Sequence, residues 1–309
     1  MTFKNFARLT GATLLNEPSI SSFEKVETNP KKIKRGDLFI GDEKEDIELA
    51  LHLEAYAIVS SLKLDIIDPE IAWFKATSLD EVLIKLLRFS LLEKKFRFIY
   101  LHPIEIELIK KIADKENLLF LNNDEKESYK KIINADKDSI FFSTKEEFLR
   151  QIYPEFETLE TSKSLFKIDK KSLFLTSFTH GEKSYKNIKI SPLQLNYLEN
   201  IVTFLDKSSI TYEIQKCGFN SHLYPIFVNQ NLQIKPFGKS ERVLICTSDN
   251  RLLDYLKTEA TWAKTIVFEF DDLSKLKNIE FNFAIIFIKY DKLIEELEKN
   301  ETIEQILLF

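Results

Sequence analysis

The sequence predicts an α/β protein built from several small layered units, and three observations carry that expectation. Short apolar runs of strand length alternate with helical stretches from start to finish. The chain has 309 residues, room for two or three domains at roughly 150 residues or fewer each. Hydrophobic residues make up 44% and charged residues 30%, enough apolar material to build cores.

The elements follow in order. Phe3, Phe6, Ala7 and Leu9 recur at helical spacing. Gly36 to Ile40 reads GDLFI, a turn glycine feeding a short buried strand. A helix is expected over 47–53, a strand over 56–59 and another over 71–76. Ser78 with Glu81 three residues later is capping-box spacing, and it starts a helix to about residue 92. A strand at 98–101 precedes Pro103, which opens a helix as a first-turn proline. A strand over 118–121, a lysine-rich helix and a strand over 140–142 come next. Thr144 and Glu147 repeat the capping-box spacing. Such alternation argues for α/β layers with largely parallel pairing.

The polar, weakly periodic segment 156–171 is the expected linker. Beyond it, 172–178 and 185–190 flank THGEK and resemble a β-hairpin. Pro192 opens a helix to about Asp206, and strands are expected near 210–214, 243–246, 266–270 and 283–288. The C-terminal stretch EELEKNETIEQILLF is acidic and then apolar, a segment able to dock on the body or on a partner. Core packing accounts for most of the 26 phenylalanines.

Several function classes are disfavoured. Lys and Arg number 44 against 49 Asp and Glu, a net charge of −5, which argues against binding held mainly by phosphate neutralisation on nucleic acid. Two cysteines, Cys217 and Cys246, make no disulfide framework. The N-terminus lacks an apolar core of signal-peptide length, and no window reads as a membrane span. A cytoplasmic protein without membrane or nucleic-acid partners is expected. No pair among His52, His102, His180 and His222 has metal-ligand spacing, so no metal or other cofactor is expected. Cys217 and His222 lie five apart, a spacing that says nothing about a nucleophile pair without the fold.

Glycine is the most informative count: 6 in the whole chain, where about 7% of residues is usual. None lies between Gly41 and Gly181, which excludes a glycine-rich phosphate cradle from that interval.

The stretch Lys31-Lys32-Ile33-Lys34-Arg35-Gly36-Asp37-Leu38-Phe39-Ile40-Gly41 resembles the N-terminal domain of the Mur ligases, the ATP-dependent muramoyl-peptide ligases. Its texture is nearest the D-alanyl-D-alanine-adding and diamino-acid-adding types. Ala50, the run Glu54-Ala55-Tyr56-Ala57-Ile58-Val59, the strand at Trp73 and the helix at 78–88 agree in order, as do the first helix and TGATLLN. The resemblance covers about residues 1–95. It implies a small α/β domain that binds the UDP of UDP-N-acetylmuramoyl-peptide, with Thr28, Asn29, Lys31, Gly36, Leu38 and Phe39 as ligand-binding candidates. Asn29-Pro30-Lys31 stands where the family has Asp-Ser/Thr-Arg, or Glu27-Thr28-Asn29 in a second alignment, so the arginine is lost.

A Mur ligase also needs a P-loop shortly after that domain. Here the strand at 98–101 runs into His102-Pro103, and proline has no N–H to offer an anion. Gly238-Lys239-Ser240 has the tail of a P-loop, but a strand follows it, not a helix. The resemblance therefore implies three units: 1–95, Mur-ligase-like; 96–160, small α/β without a P-loop; 161–309, a further α/β domain. The expected role is peptidoglycan-precursor metabolism without ATP-dependent ligation, with the UDP-muramoyl-peptide or cell-wall synthesis proteins as partners. Two alternatives stand beside it. Ser177-Phe178-Thr179-His180-Gly181 resembles, with one extra residue, the Ser-x-His-Gly strand end of ferrochelatases, which makes His180 a catalytic candidate for metal or tetrapyrrole chemistry. The other is a protein-interaction scaffold using the surface of 161–309.

Overall fold

Leu38–Ile40, Ala57–Ser60 and Ala72–Lys75 are buried at nearly every position, the pattern of strands covered on both faces. The computed structural model describes residues 1–63, 65–114, 117–122, 124–159 and 165–307. In chain order the elements begin α1 (Phe3–Thr10), β1 (Thr13–Leu14), β2 (Val26–Glu27), β3 (Leu38–Ile40), α2 (Lys44–His52), β4 (Ala57–Ser60), β5 (Ala72–Lys75) and α3 (Leu79–Leu91). Then come β6 (Arg97–Tyr100), α4 (Pro103–Ile112), β7 (Leu118–Phe120), α5 (Glu125–Ile133), β8 (Ile140–Ser143), α6 (Glu146–Ile152) and β9 (Glu157–Thr158). The rest are β10 (Lys167–Lys171), β11 (Thr176–His180), β12 (Lys183–Ile188), α7 (Leu195–Lys207), β13 (Leu223–Val228), β14 (Arg242–Thr247), α8 (Leu252–Glu259), β15 (Thr265–Val267), β16 (Phe283–Ile286) and α9 (Tyr290–Leu307). The chain divides into two units, Met1–Leu101 with Glu116–Thr158, and His102–Lys115 with Leu159–Phe309.

The first unit holds two sheets. One has the order β1-β5-β4-β3-β2, with β2 to β5 parallel and β1 an antiparallel edge. The other, β7-β8-β6-β9, is parallel throughout. Aromatic rings fill the core. Phe6 meets Phe74 edge-on at 5.0 Å, and Phe98 stacks on Phe141 at 4.9 Å. Ser78 caps α3 by accepting the Glu81 N–H, and Leu83, Leu86 and Leu87 on that helix are buried in the same cluster. The opposite face of the first sheet packs Phe39, Ile58 and Trp73 under α2 residues Ile47 and Ala50.

The second unit pairs a three-stranded antiparallel sheet, β10-β11-β12, with a four-stranded one, β13-β14-β16-β15. In the latter β14, β16 and β15 are parallel, and β13 is an antiparallel edge. Leu293 and Leu297 of α9 are buried against its core. The side chains of that helix from residue 300 on lie outside the described residues, as does most of the apolar C-terminal end.

Three local expectations are corrected, and one strand is added. Part of the expected linker, 167–171, is β10, an exposed edge strand whose lack of periodicity reflects the absence of a buried face; residues 160–164 lie outside the description. The strand expected at 210–214 is a single bridge from Tyr212 to Ala113 followed by a 3₁₀ turn at Ile214–Lys216, so only one residue of the run finds a ladder partner. Thr144 is not a cap: α6 starts at Glu146 behind Lys145, whose N–H goes to Ser143 Oγ. β13 was not among the expected strands; it contains Pro225, which the structure tolerates on an edge strand. Among the described residues no helix is long and apolar enough to cross a membrane.

Leu83 is fully buried in the first unit's core. Leu83→Ala is expected to cost about 2–5 kcal/mol, read as a lower urea midpoint with an unchanged slope.

Candidate functional site

Because β2 to β5 run the same way, their carboxyl ends share one edge, and open parallel sheets take ligands outside that edge. Thr28 and Asn29 follow β2. Gly41 and Asp42 follow β3. Ser60 closes β4 with Ser61 behind it, and Lys75 closes β5.

Asp42 ties this edge together. Its Oδ1 accepts from Ser60 Oγ and from the Ser61 N–H, each at 2.7 Å, and its Oδ2 accepts from Ser61 Oγ at 2.5 Å. Lys75 Nζ donates to the Ser61 carbonyl. Burial alone would raise the Asp42 carboxyl, but the hydrogen bonds from Ser61 and Ser60 outweigh it and hold the pKa below the usual carboxylate range. Gly41 leaves room for the turn: a Cβ there would lie 2.6 Å from the Phe39 ring.

Thr28 is buried, and its Oγ1 has no hydrogen-bond partner, one of three such side-chain atoms among the described residues. Asn29 Oδ1 accepts from the Lys31 N–H at 3.1 Å, capping a 3₁₀ turn at Pro30–Lys32 that holds Lys31 in solvent. Gly36 sits at the other end of β3 with φ of +97°, and its N–H donates to the Glu54 carbonyl. Leu38 and Phe39 are buried in opposite core clusters. Thr28 and Asn29 thus reach the carboxyl edge with Lys31 close behind, whereas Gly36, Leu38 and Phe39 build the strand that carries it. Asp42, Ser60, Ser61 and Lys75 were not singled out from sequence. The available signal was a polar residue at or just past the end of each parallel strand.

The start of α4 is closed by its own side chains. The Ile104 N–H donates to His102 Nδ1, the His102 N–H donates to Glu105 Oε2 at 2.9 Å, and Pro103 has no N–H. Burial raises the Glu105 carboxyl, while bonds from Asn200 and His102 lower it; the net shift is upward. The amides a phosphate would use at such a terminus are already engaged.

His180 ends β11, beside Gly181 in the hairpin turn. Its Nε2 lies 3.4 Å from Tyr212 Oη and 3.5 Å from Asp206 Oδ2. Among the described residues no group of three His, Cys, Asp or Glu could hold a metal ion. Cys217 is buried, and burial pushes its thiol up to about 12, so it is no thiolate nucleophile at neutral pH.

Two measurements check the edge. The lowered Asp42 pKa contributes stability that is present above the ordinary carboxylate pKa and lost as pH falls through the folded value. Asp42→Asn is therefore expected to lower stability at pH 7 and to flatten its fall between pH 5 and 2, followed by urea midpoints. Gly41→Ala is expected to cost about 1–3 kcal/mol through overpacking against Phe39.

The sequence matches no family model and no curated protein. Among solved structures, the chain is similar to MurF from Acinetobacter baumannii, with a TM-score of 0.51 and 9% identity over 92% of this chain and 85% of that one. It is also similar to the MurF ligase from Thermotoga maritima in complex with ADP, with a TM-score of 0.49 and 11% identity over 91% and 98% of the two chains. Identity this low speaks to backbone architecture alone, and what the first of these likenesses establishes is that the chain has a Mur-ligase-like fold.

Proposed function

We propose that this protein acts in peptidoglycan-precursor metabolism by binding a UDP-muramoyl-type ligand at the carboxyl edge of its first sheet, without coupling that binding to ATP-dependent ligation. The observation that carries the reading is Thr28 Oγ1, buried at that edge without a partner. An unsatisfied buried hydroxyl costs about 1–3 kcal/mol, which a ligand group would recover. Thr28, Asn29 and Lys31 contact the ligand, and Lys31 supplies positive charge for a diphosphate. Gly36, Leu38 and Phe39 hold the strand behind them.

The non-ligase half rests on the self-capped start of α4 and on the glycine-free interval from 42 to 180. A triphosphate cradle needs free backbone amides wrapped round an anion, and glycine is what lets a chain wrap so tightly.

Isothermal titration tests the ligand. UDP-N-acetylmuramoyl-peptide is expected to bind, and Thr28→Val is expected to weaken it roughly three- to tenfold while raising the stability of the free protein, since the orphaned oxygen is gone. No binding of the peptide conjugate or of UDP, or an unchanged affinity in Thr28→Val, overturns this reading. Phosphate release from ATP is expected to stay at background with the conjugate present; substrate-dependent turnover overturns the non-ligase half.

A further inference from the structure

The carboxyl end of β14 carries a second constellation, wholly within the second unit. Ser248 is exposed, one residue beyond β14 and ahead of α8. β13 pairs antiparallel with β14, placing Leu223 opposite Thr247 and so bringing His222 beside Ser248. His222 Nδ1 lies 2.5 Å from Ser248 Oγ. The His222 backbone is fixed at both ends: its N–H donates to Asn220 Oδ1 at 3.0 Å, and its carbonyl accepts from Thr247 Oγ1 at 2.7 Å. His222 Nε2 lies 3.7 Å from Glu107 Oε1 on α4. Glu107 is itself anchored, accepting from the Ser221 N–H at 2.9 Å and from the Ser221 hydroxyl.

An exposed serine hydroxyl is satisfied by water. Folding alone gives no reason to set a partly buried imidazole, its backbone held at both ends and its far nitrogen faced by Glu107, against it. We propose that Ser248 is an activated nucleophile that forms an acyl-enzyme with carboxylic esters, with His222 as its general base and Glu107 as the positioning residue.

The proton bookkeeping is consistent. Glu107 faces Nε2 and favours the ring proton there, which leaves the Nδ1 lone pair for the serine hydroxyl. Burial lowers the His222 pKa, Glu107 and Asp249 raise it, and the net shift is downward, so the ring is neutral at pH 7. Three further groups face this pair. His102, at the start of α4, has its ring centre 6.4 Å from that of His222. Its Nδ1 is taken as an acceptor, so its proton sits on Nε2. Arg251 is bidentate on Asp249, and both act electrostatically on His102. In the step, a bond forms from Ser248 Oγ to the ester carbonyl carbon as the hydroxyl proton passes to His222 Nδ1. The bond from that carbon to the alcohol oxygen then breaks, and the leaving alcohol takes the proton. Water repeats the sequence and releases the acid.

The test is covalent labelling of the full chain with a fluorophosphonate, read by intact mass and peptide mapping beside a serine esterase control. One adduct is expected, on Ser248, and none in Ser248→Ala, an exposed change the fold tolerates. His222→Asn is expected to slow labelling roughly 100-fold or more. The labelling rate is expected to rise with pH through the His222 pKa. In Glu107→Gln that limb moves to lower pH, because the carboxylate that raises the His222 pKa is gone, and the plateau rate above it falls; a merely structural Glu107 would leave the plateau rate in place. No adduct on Ser248 while the control reacts, or equal labelling in His222→Asn, overturns the proposal. The outcome is independent of nucleotide-sugar binding in the first unit.

Discussion

Parallel pairing of β2, β3, β4 and β5 is the constraint on which the first unit depends. Parallel strands need crossovers, crossovers cover both faces, and strands so covered must be apolar throughout. The two faces of β3 show the result: Leu38 joins the core with Phe3 and Phe74, and Phe39 joins Trp73 and Ile58. The same rule sends every carboxyl end to one edge. Polar residues are expelled from the strands and collect there, where Asp42 binds Ser60 and Ser61 and Thr28 is left with an unpaired hydroxyl.

Scarcity of glycine shapes the chemistry as much as the fold. Where a chain must curl amides around an anion, side chains get in the way, and this chain supplies few positions without one. The start of α4 shows a different solution. His102, Pro103 and Glu105 close the helix terminus from within, so its amides serve the fold. Glu105 is buried to do this, and Asn200 satisfies its second oxygen. That arrangement and the edge built around Asp42 are the two features on which the proposed reading, ligand binding without energy coupling, rests.

The second unit shows how distant segments meet in a mixed sheet. An antiparallel edge strand, β13, begins where the parallel strand β14 ends. Residues before the one and after the other become neighbours, although 26 positions separate His222 from Ser248. Glu107 adds a third segment, 114 positions from Ser221. The hydrogen bonds holding the His222 backbone come from Asn220 and Thr247, so the residue's place is fixed beside the strand pair, and Glu107 faces its ring.

Much of the architecture was legible in the order of residues, because short-range rules govern it. Ser78 before Glu81, Pro103 after a strand, and the strand-length runs read at 36–40, 56–59, 71–76 and 243–246 each mark their element through local geometry. The local rules failed where pairing was decided from afar. Lys167–Lys171 has no apolar face, yet it adds to β11 as an edge. Pro225 reads as a strand breaker, yet an edge strand has no use for its missing N–H. The candidate site divides the same way. Thr28, Asn29 and Lys31 could be named from a run of neighbouring residues, since a motif is local. The knot at Asp42, Ser60 and Ser61 and the approach of His222, Ser248 and Glu107 could not be, because sequence specifies which strands form but only their packing decides which ends coincide.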